Sequence, residues 1–269
     1  MSSMVLRCPS CDIQMNVTVP DGVSEAFDKG YTEGINLVTE VFTEMLPLDH
    51  YKNEVEKSKV LIQDLAEFLE EDIGEVKLKT SFPEGRLAEE WVKKVDTETF
   101  YRDNKDYLYD NIKYNQFPRY HIERLLPLAL MYHVKILDIG CGIGMLAFML
   151  SAENEVTGYD INQKVIDFCN FRKSKYNSDV EFTTEEPDYG QFDLITAIGT
   201  LEHIENLEAF IRKLGGTMKQ GALLYHYDDF GDQNISPMHF NHSNEINGWL
   251  EEAGFKILTG RWAIKDANI

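Results

Sequence analysis

The chain has 269 residues, of which 43% are hydrophobic, enough to build a packed core in one large domain with an extension or in two domains. Its formal net charge is −20, and no stripe of lysine and arginine is visible. Because phosphate backbones are bound by clusters of Lys and Arg, we expect no nucleic-acid partner. The sequence contains no apolar run of about 18 residues, so we expect no membrane span. Four cysteines and the lack of a signal-peptide pattern favour a cytoplasmic location.

Residues 1–20 are expected to form a short segment of their own around Cys8 and Cys11. The Cys-x-x-Cys spacing is that of a zinc knuckle, yet a structural zinc site takes four ligands and the sequence has no second pair. Two interpretations therefore stay open: a pair of reduced thiols in a turn, and a zinc ion shared between two chains.

Residues 21–85 are predicted to be a mostly helical N-terminal region. Apolar residues recur at spacings of three and four over residues 23–72, and Pro47 divides the pattern into two helices. The apolar stripe fits an ordinary packed pair of helices and also a contact with a second copy, so a homodimer through these helices stays open. Residues 73–85 are expected to be a linker with one strand at 75–80.

Residues 86–117 form a predicted aromatic-rich helical region. Its aromatic side chains are Trp91, Phe100, Tyr101, Tyr107, Tyr109, Tyr114 and Phe117. Pro118 ends this region, and residues 121–132 are expected to lead as a helix into the next strand.

Residues 134–146, VKILDIGCGIGML, predict a buried strand, a glycine turn and the start of a helix. Asp138 lies near the end of the strand, and the turn contains Gly140, Gly142 and Gly144. Glycine lets a backbone turn sharply and approach a ligand without a Cβ in the way. Since the helix start adds free N–H groups, we expect this segment to cradle a ligand.

A second acidic residue, Asp160, lies near the end of the strand predicted at residues 155–161 and follows Gly140 by 20 residues. In nucleotide-binding α/β folds an acid at about this distance hydrogen-bonds ribose hydroxyls. The run from Gly142 to Ala147 also matches the dinucleotide fingerprint, so a NAD-dependent enzyme stays open.

The run Leu-Asp-Ile-Gly-Cys-Gly-x-Gly resembles motif I of the class I S-adenosylmethionine (SAM)-dependent methyltransferases. This resemblance implies an α/β fold, with a Rossmann-like sheet and helices on both faces. It also implies SAM as the cofactor and S-adenosylhomocysteine as the product. The residues that would hold the methionine part of SAM are Asp138, Gly140, Gly142 and Gly144, and Asp160 would bind the ribose.

The resemblance extends through a SAM-binding domain at residues 118–269. Residues 192–204 and 221–227 look like the fourth and fifth strands of the family, and the segment after them resembles its Pro-x-His loop. A helix capped by Ser243 and stopped by Gly254 would follow.

Three further positions come from the same resemblance. The family's helices before motif I fold over the cofactor as a lid, which implies that Tyr101 contacts SAM or the substrate. An acid after the third strand would hold the adenine amino group, and here Glu185 or Glu186 stands at that place. His242 stands where the family often has an aromatic residue.

The resemblance favours methyl transfer to the hydroxyl or amine of a small molecule, with His203 and His239 as the catalytic residues. Both follow predicted parallel strands, whose carboxyl ends open beside the ligand crevice. Imidazole is a natural base near neutral pH, whereas an amine that enters deprotonated needs proximity alone. A divalent cation is a further hypothesis, although the spacing does not require one. The residues of ligand type are Glu202, His203, Asp228, His239 and His242.

A different class of function stays open as well. The helical N-terminal third and the acidic composition also suit a SAM-binding adaptor, or a methyltransferase subunit that acts on a basic partner protein.

Overall fold

The computed structural model describes residues 2–7, 14–19, 53–54, 56–57, 59–81, 83–94, 96–115, 126–128, 131–230 and 237–266. The chain divides into two compact units, Met1–Tyr51 and Lys52–Ile269. In the first unit, strand β1 (Ser2–Arg7) pairs with β2 (Gln14–Val19) as an antiparallel hairpin. The predictions for the Cys-x-x-Cys pair, and for helices or a homodimer contact before residue 53, lie outside the described residues.

Helices come first in the second unit. The described ones before its sheet are α1 (Leu61–Leu69), α2 (Ile73–Ser81), α3 (Pro83–Val92), α4 (Thr97–Asp103) and α5 (Tyr107–Asn115). A mostly helical region therefore precedes the sheet, as the sequence predicts.

The linker predicted at residues 73–85 and its strand at 75–80 are wrong, because the described residues there lie in α2 and at the start of α3. The side chain of Asp72 accepts hydrogen bonds from the N–H groups two and three residues later, at 2.8 and 3.3 Å, which starts the helix. Val76 and Thr80 are buried one helical turn apart. Packing of this face therefore outweighs the strand propensity of the β-branched residues.

A seven-stranded sheet forms the centre of the described part of the second unit. Its strands are β3 (Lys135–Ile139), β4 (Glu155–Tyr159), β5 (Glu181–Thr183), β6 (Leu194–Ile198), β7 (Leu223–Tyr227), β8 (Phe255–Thr259) and β9 (Trp262–Lys265). The order across the sheet is β5-β4-β3-β6-β7-β9-β8. The first five run parallel, and β9 pairs antiparallel with β7 and β8. The predicted Rossmann-like α/β fold is confirmed.

Helices alternate with these strands. They are α6 (Met145–Leu150), α7 (Gln163–Tyr176), α8 (Leu207–Thr217) and α9 (Ile246–Glu252). Four consecutive residues are buried in each of β3 and β6, as expected of parallel strands that are covered on both faces. The chain order changes direction at β3, and in such sheets a ligand crevice lies at the carboxyl ends of the strands on either side of that point.

A buried ion pair fastens α1 to α7. The carboxylate of Asp64, 1% exposed, accepts from Arg172 Nε at 3.3 Å and from the Tyr176 hydroxyl at 2.9 Å, and it lies 3.0 Å from Lys175 Nζ. Removing either Asp64 or Arg172 would leave the charge of the other buried and unpaired, so α1 is an integral part of this unit.

The sequence predicts the C-terminal end of α9 correctly but not its N-terminal beginning. Gly254 follows the helix at a φ of +82°, which confirms the predicted stop. The prediction of Ser243 as the cap is wrong, because α9 begins after Glu245 and the Ser243 hydroxyl donates to Asn241 Oδ1 at 2.8 Å. The carbonyl of His242 accepts two backbone N–H bonds, at 3.1 and 3.0 Å, and these start the helix instead.

Only part of the helix predicted at residues 121–132 falls on described residues, and that part is a 3₁₀ turn at Leu126–Leu128 followed by non-helical residues 131–132. Among the described residues, none of the helices is both long enough and apolar enough to cross a bilayer.

Candidate active site

A cavity of about 800 Å³ lies at the carboxyl ends of β3, β6 and β7. Side chains from α4 and α5 cover it, and residues 237–239 close another side. Its lining includes Tyr101, Asn111, Asp138, Gly140, Gly142, Glu202, His203, Asp228 and His239. The volume is within the range of small-molecule sites, about 300–1,000 Å³, and the position is that of the ligand crevice in open α/β sheets.

The glycine turn depends on backbone conformations that other residues rarely adopt. The angle φ is +66° at Gly140, +50° at Gly142 and +75° at Gly144. A Cβ at Gly140 would lie 2.3 Å from Thr200 Oγ1, and a Cβ at Gly142 would lie 2.2 Å from Asn111 Oδ1. Glycine is therefore required both by φ and by the close approach of these side chains.

Asp138, in β3, is buried and lines the cavity beside the turn. Burial raises the pKa of its carboxyl to about 7, and the nearby Asp160 adds to this, although the hydrogen bond from Thr196 works in the opposite direction. That bond runs from the Thr196 hydroxyl to Asp138 Oδ1 at 2.8 Å. A cation in the cavity would favour the ionised carboxylate.

The cavity is acidic. Among the described residues, five carboxyl groups line it, against one arginine, Arg261, which is exposed. The carboxyl groups belong to Asp110, Asp138, Glu202, Asp228 and Asp229. This chemistry suits a cationic ligand. SAM carries a sulfonium and an ammonium group, so the residues present fit the cofactor that the sequence resemblance implies.

Asp160 is bonded to the glycine turn and is not among the residues that line the cavity. It is buried directly after β4, and its two carboxylate oxygens accept from the N–H groups of Gly142 at 3.1 Å and Asn162 at 2.9 Å. Burial raises its pKa to about 6. The observed contacts show the carboxylate holding the turn, and its contact with a ribose stays a prediction.

The structure does not bring Glu185 or Glu186 to the cavity. Both are exposed, and the Glu186 carboxylate accepts from the Tyr189 hydroxyl and from Lys213. They follow β5, which is the edge strand of the sheet and lies two positions from β3. An adenine contact through Glu185 therefore stays a prediction without support from the geometry.

Tyr101, in α4, is buried at the cavity. Its hydroxyl lies 2.7 Å from His203 Nδ1. The ring packs against Trp91 and Phe100, with centroid distances of 6.1 and 5.2 Å. The side-chain amide of Asn162 donates to the Tyr101 carbonyl at 2.7 Å, which ties α4 to the start of α7. The helix α4 therefore brings a hydroxyl directly to the histidine end of the cavity.

His203 and His239 meet, although 36 residues separate them in the sequence. Their ring centroids are 4.8 Å apart, and the rings are nearly perpendicular. His203 Nδ1 lies 3.1 Å from the Met238 carbonyl, and His239 Nδ1 lies 2.8 Å from the Asp229 carbonyl. Because a carbonyl only accepts, each Nδ1 is assigned the proton and each Nε2 is left as an acceptor. Burial, reinforced by His239, lowers the pKa of His203 to about 4, so this ring is neutral near pH 7.

Glu202 and Asp228 complete this end of the cavity. Glu202 is 3% exposed; its Oε1 accepts from the Asp229 N–H at 3.3 Å, and its Oε2 is buried with no hydrogen-bond partner among the described residues. Burial and the neighbouring Asp228 raise the pKa of Glu202 to about 8. Asp228 accepts from the Leu201 N–H at 3.1 Å and lies 2.7 Å from His226 Nδ1.

Sequence reasoning missed Asn111 and treated Asp228 only as a possible ligand. Asp228 is the first residue after β7, so the rule that parallel strands end at the crevice identifies its place. Asn111 lies in α5, and no sequence motif identifies it as a residue of the site. His242, which replaces an aromatic residue of the family, keeps ring contacts with Phe240 and Trp249, at centroid distances of 6.2 and 5.4 Å.

Known proteins resemble this region of the chain. Residues 137–224 match a family model described as a methyltransferase domain. The ubiquinone biosynthesis O-methyltransferase of Coxiella burnetii is 26% identical over 149 residues, which are 46% of this chain and 64% of that protein. The protein of the same name in Mesorhizobium japonicum is 32% identical over 98 residues, which are 34% of this chain and 39% of that protein. The chain thus spans less than two thirds of the length of these relatives.

Solved structures of other proteins are also similar to part of this chain. The phosphoethanolamine N-methyltransferase 2 of Haemonchus contortus, in complex with SAM, is 17% identical, with 60% of this chain and 45% of that chain covered and a TM-score of 0.48. The family match itself covers the glycine turn after β3, β4 with Asp160, and β6 with the turn that carries His203. These comparisons support the resemblance to the class I SAM-dependent methyltransferases, through the methyltransferase domain that the family model matches at residues 137–224.

Proposed function

We propose that this chain is an enzyme that transfers the methyl group of SAM to the hydroxyl or amine of a small molecule. One observation carries the proposal: Asp138 and two glycines of the turn, Gly140 and Gly142, line the same cavity as the group of Glu202, His203 and His239. A cofactor end and a polar acceptor end therefore face one enclosed space. The relatives named as O-methyltransferases support a hydroxyl as the acceptor.

At the cofactor end, the methionine part of SAM is assigned to Asp138 and to Gly140, Gly142 and Gly144. The Asp138 carboxylate supplies a counter-charge for the cationic amino group, and the glycines let the backbone approach without a Cβ. When bound, SAM supplies a methyl group on a positively charged sulfur. Asp160 is kept as the ribose ligand, since each of its oxygens has a second lone pair beyond the N–H bond that it accepts.

At the acceptor end, His203 and His239 orient the acceptor. Each ring uses its Nδ1 for a backbone carbonyl and offers Nε2 to the O–H or N–H of the acceptor. Such positioning converts a bimolecular reaction into one between aligned groups. The lowered pKa makes His203 a weaker base than free imidazole, so its role as a base stays a prediction and its orienting role is favoured.

The location of the protein is proposed from its thiols. The described cysteines, Cys141 and Cys169, are both free and buried. Free thiols fit a reducing, cytoplasmic compartment.

The test is a product screen with SAM that carries an isotopically labelled methyl group, read out by intact mass. We expect label on a small hydroxylated or amine compound, with Asp138→Asn giving less product at low SAM. Label on a co-purified protein instead would favour the partner-protein alternative. Calorimetric titrations should show one SAM per chain, and stoichiometric binding of NAD without SAM would contradict the proposal.

A further inference from the structure

One arginine of the cavity differs from the other arginines whose side chains the structure describes. The others pair with carboxylates of neighbouring residues, and they are Arg86, Arg102, Arg172 and Arg212. Arg261 instead lies against the ring of Tyr227 and lines the cavity, and within the described ranges it has no carboxylate partner. The chain as a whole has a formal net charge of −20. In so acidic a chain, an arginine at a cavity without a carboxylate partner indicates an anionic ligand.

We infer that Arg261 binds a carboxylate of the acceptor. The substrate class is then narrower than a small hydroxyl or amine compound, because the compound also carries an acid group apart from the group that is methylated. This inference rests on the proposed function, since it concerns the second substrate of the same site.

Arg261 is held in place before any ligand binds. Its carbonyl accepts from the His226 N–H at 3.0 Å, and its own N–H donates to Thr259 Oγ1 at 3.3 Å. The central carbon of the guanidinium lies 3.5 Å from the centroid of the Tyr227 ring. Stacking on an aromatic face leaves the N–H groups at the edge of the guanidinium plane available. The side chain therefore presents the paired donors that a carboxylate accepts in a bidentate contact.

The position of Arg261 assigns it to the acceptor rather than to the cofactor. Tyr227 is the last residue of β7, which lies two strands away from β3 in the sheet. Neighbouring strands are about 4.8 Å apart, so the end of β7 lies roughly 10 Å from the turn assigned to the methionine part of SAM. Because Arg261 is exposed and still lines the cavity, it lies at the mouth. An acid group bound there would leave the rest of the acceptor free to reach the histidines inside.

The acidic lining of the cavity is compatible with one anionic group at its mouth. Asp138 is assigned to the ammonium group of SAM, and an Asp228 oxygen lies 2.7 Å from His226 Nδ1. Burial and Asp228 raise the pKa of Glu202 to about 8, so this carboxyl is mostly protonated near pH 7. Bound SAM also adds a positively charged sulfur. Since the remaining repulsion grows with the charge of the ligand, a carboxylate with one negative charge fits better than a phosphate with up to two.

The test compares carboxylic acids with their neutral amides. The probes are meta-hydroxybenzoate, meta-hydroxyphenylacetate and meta-hydroxyphenylpropionate, each beside its primary amide, so that the distance between hydroxyl and acid group varies. Calorimetric titrations use the full chain saturated with S-adenosylhomocysteine, so that no methyl transfer occurs. The test variants are Arg261→Gln and Arg261→Lys. The matched control is Arg212→Gln, because Arg212 is exposed on α8 and is not among the residues that line the cavity.

We expect wild type and the control to bind at least one acid about tenfold or more tightly than its amide, and we expect this ratio to fall to about one in Arg261→Gln. Arg261→Lys keeps the charge but loses the planar pair of donors, so its ratio should lie between these values. The affinity for S-adenosylhomocysteine should stay within about twofold in all variants, which shows that they are folded. A role of Arg261 in stability alone would not change the ratio of acid to amide.

Equal binding of every acid and its amide to wild type, or an acid preference that persists in Arg261→Gln, overturns the inference. Weaker binding of S-adenosylhomocysteine to Arg261→Gln also overturns it, because the arginine would then hold the carboxylate of the cofactor. Failure of wild type to bind S-adenosylhomocysteine contradicts the proposed function and the inference with it. Methyl transfer from labelled SAM to an acid and its amide at equal rates overturns the inference and leaves the proposed function standing.

Discussion

The two ends of the cavity are built in different ways. The part of the cofactor end that is assigned to the methionine group comes from one run of chain, residues 138–144, in which backbone conformation decides the shape. The acceptor end is assembled from side chains on α4, on the turn after β6, on the segment after β7 and on the loop at 237–240. Substitutions at the cofactor end would disturb its backbone conformation. At the acceptor end, side chains can be substituted while the backbone stays in place. Variants at one end should therefore leave the other end's measurements unchanged.

The largest effect is expected for His203→Gln and His239→Gln. Turnover on a verified acceptor should fall by about 10²-fold, the loss expected when the acceptor is no longer aligned, and a fall of about 10⁴-fold would instead assign the rings a role as base. The affinity for SAM should stay within twofold of wild type, because neither ring belongs to the glycine turn. Calorimetry and a labelled-methyl assay measure the two quantities. Full turnover in both variants would show that the acceptor end works through proximity alone.

A smaller effect, and the opposite pattern, is expected for Gly142→Ala. The new Cβ would meet Asn111 Oδ1 at 2.2 Å, at a φ of +50° that disfavours any side chain. Strain of about 1–3 kcal/mol corresponds to roughly a 5- to 150-fold loss of SAM affinity. Turnover should recover at saturating SAM.

The control for this variant is Gly248→Ala, in α9. A Cβ there meets nothing within 4 Å, and alanine is the better helix former by about 0.5–1 kcal/mol. Its unfolding temperature should therefore rise slightly, while its SAM affinity stays unchanged. Equal SAM affinity in Gly142→Ala and wild type would contradict the assignment of the glycine turn to the cofactor site.

The sequence predicts these two ends unequally, for a physical reason. The turn at residues 140–144 needs glycine for its local backbone conformation, so its motif is contiguous and can be recognised in the sequence. His203 and His239 could be paired because both follow parallel strands, whose ends share one edge of the sheet. Asn111 and the unpartnered oxygen of Glu202 could not be predicted, since they depend on how α5 and Asp228 pack against the turn. The wrong strand at 75–80 has the same origin, because tertiary packing decided between two local propensities.

The third prediction concerns pH and Asp138. Burial raises the pKa of this carboxyl to about 7, so in the free protein it is protonated at lower pH. A cationic amino group binds the ionised form, and SAM affinity should therefore rise with pH, by up to about tenfold per unit, until it levels off near pH 7. Asp138→Asn should abolish this slope, as measured by calorimetry from about pH 5.5. A slope that persists in the variant would assign the effect to another group, such as Asp160, whose pKa is raised to about 6.

The same carboxyl has a predictable effect on stability. Its pKa is higher in the folded protein than the reference value of 3.8, so the folded state holds more protons between about pH 4 and 7. The free energy of unfolding should fall as pH rises through this window. Asp138→Asn should flatten that fall in denaturant titrations, and an unchanged dependence on pH would show that Asp138 is ionised in the folded state.

The smallest effect on turnover is expected for Tyr101→Phe. This variant tests whether Tyr101, in α4, acts at the acceptor end or at the cofactor end of the cavity. The change removes the hydroxyl that lies 2.7 Å from His203 Nδ1 and keeps the ring contacts with Trp91 and Phe100. Because the Met238 carbonyl still accepts from the same nitrogen, His203 keeps its tautomer and loses only one of two contacts. A loss of about 1 kcal/mol would lower turnover roughly fivefold at unchanged SAM affinity. The control is Tyr132→Phe, a side chain that is 59% exposed, and it should alter neither quantity. If Tyr101→Phe weakened SAM binding instead, the tyrosine would contact the cofactor, one of the two roles that the family resemblance implies. Its contact with His203 would then link the cofactor end of the cavity to the acceptor end.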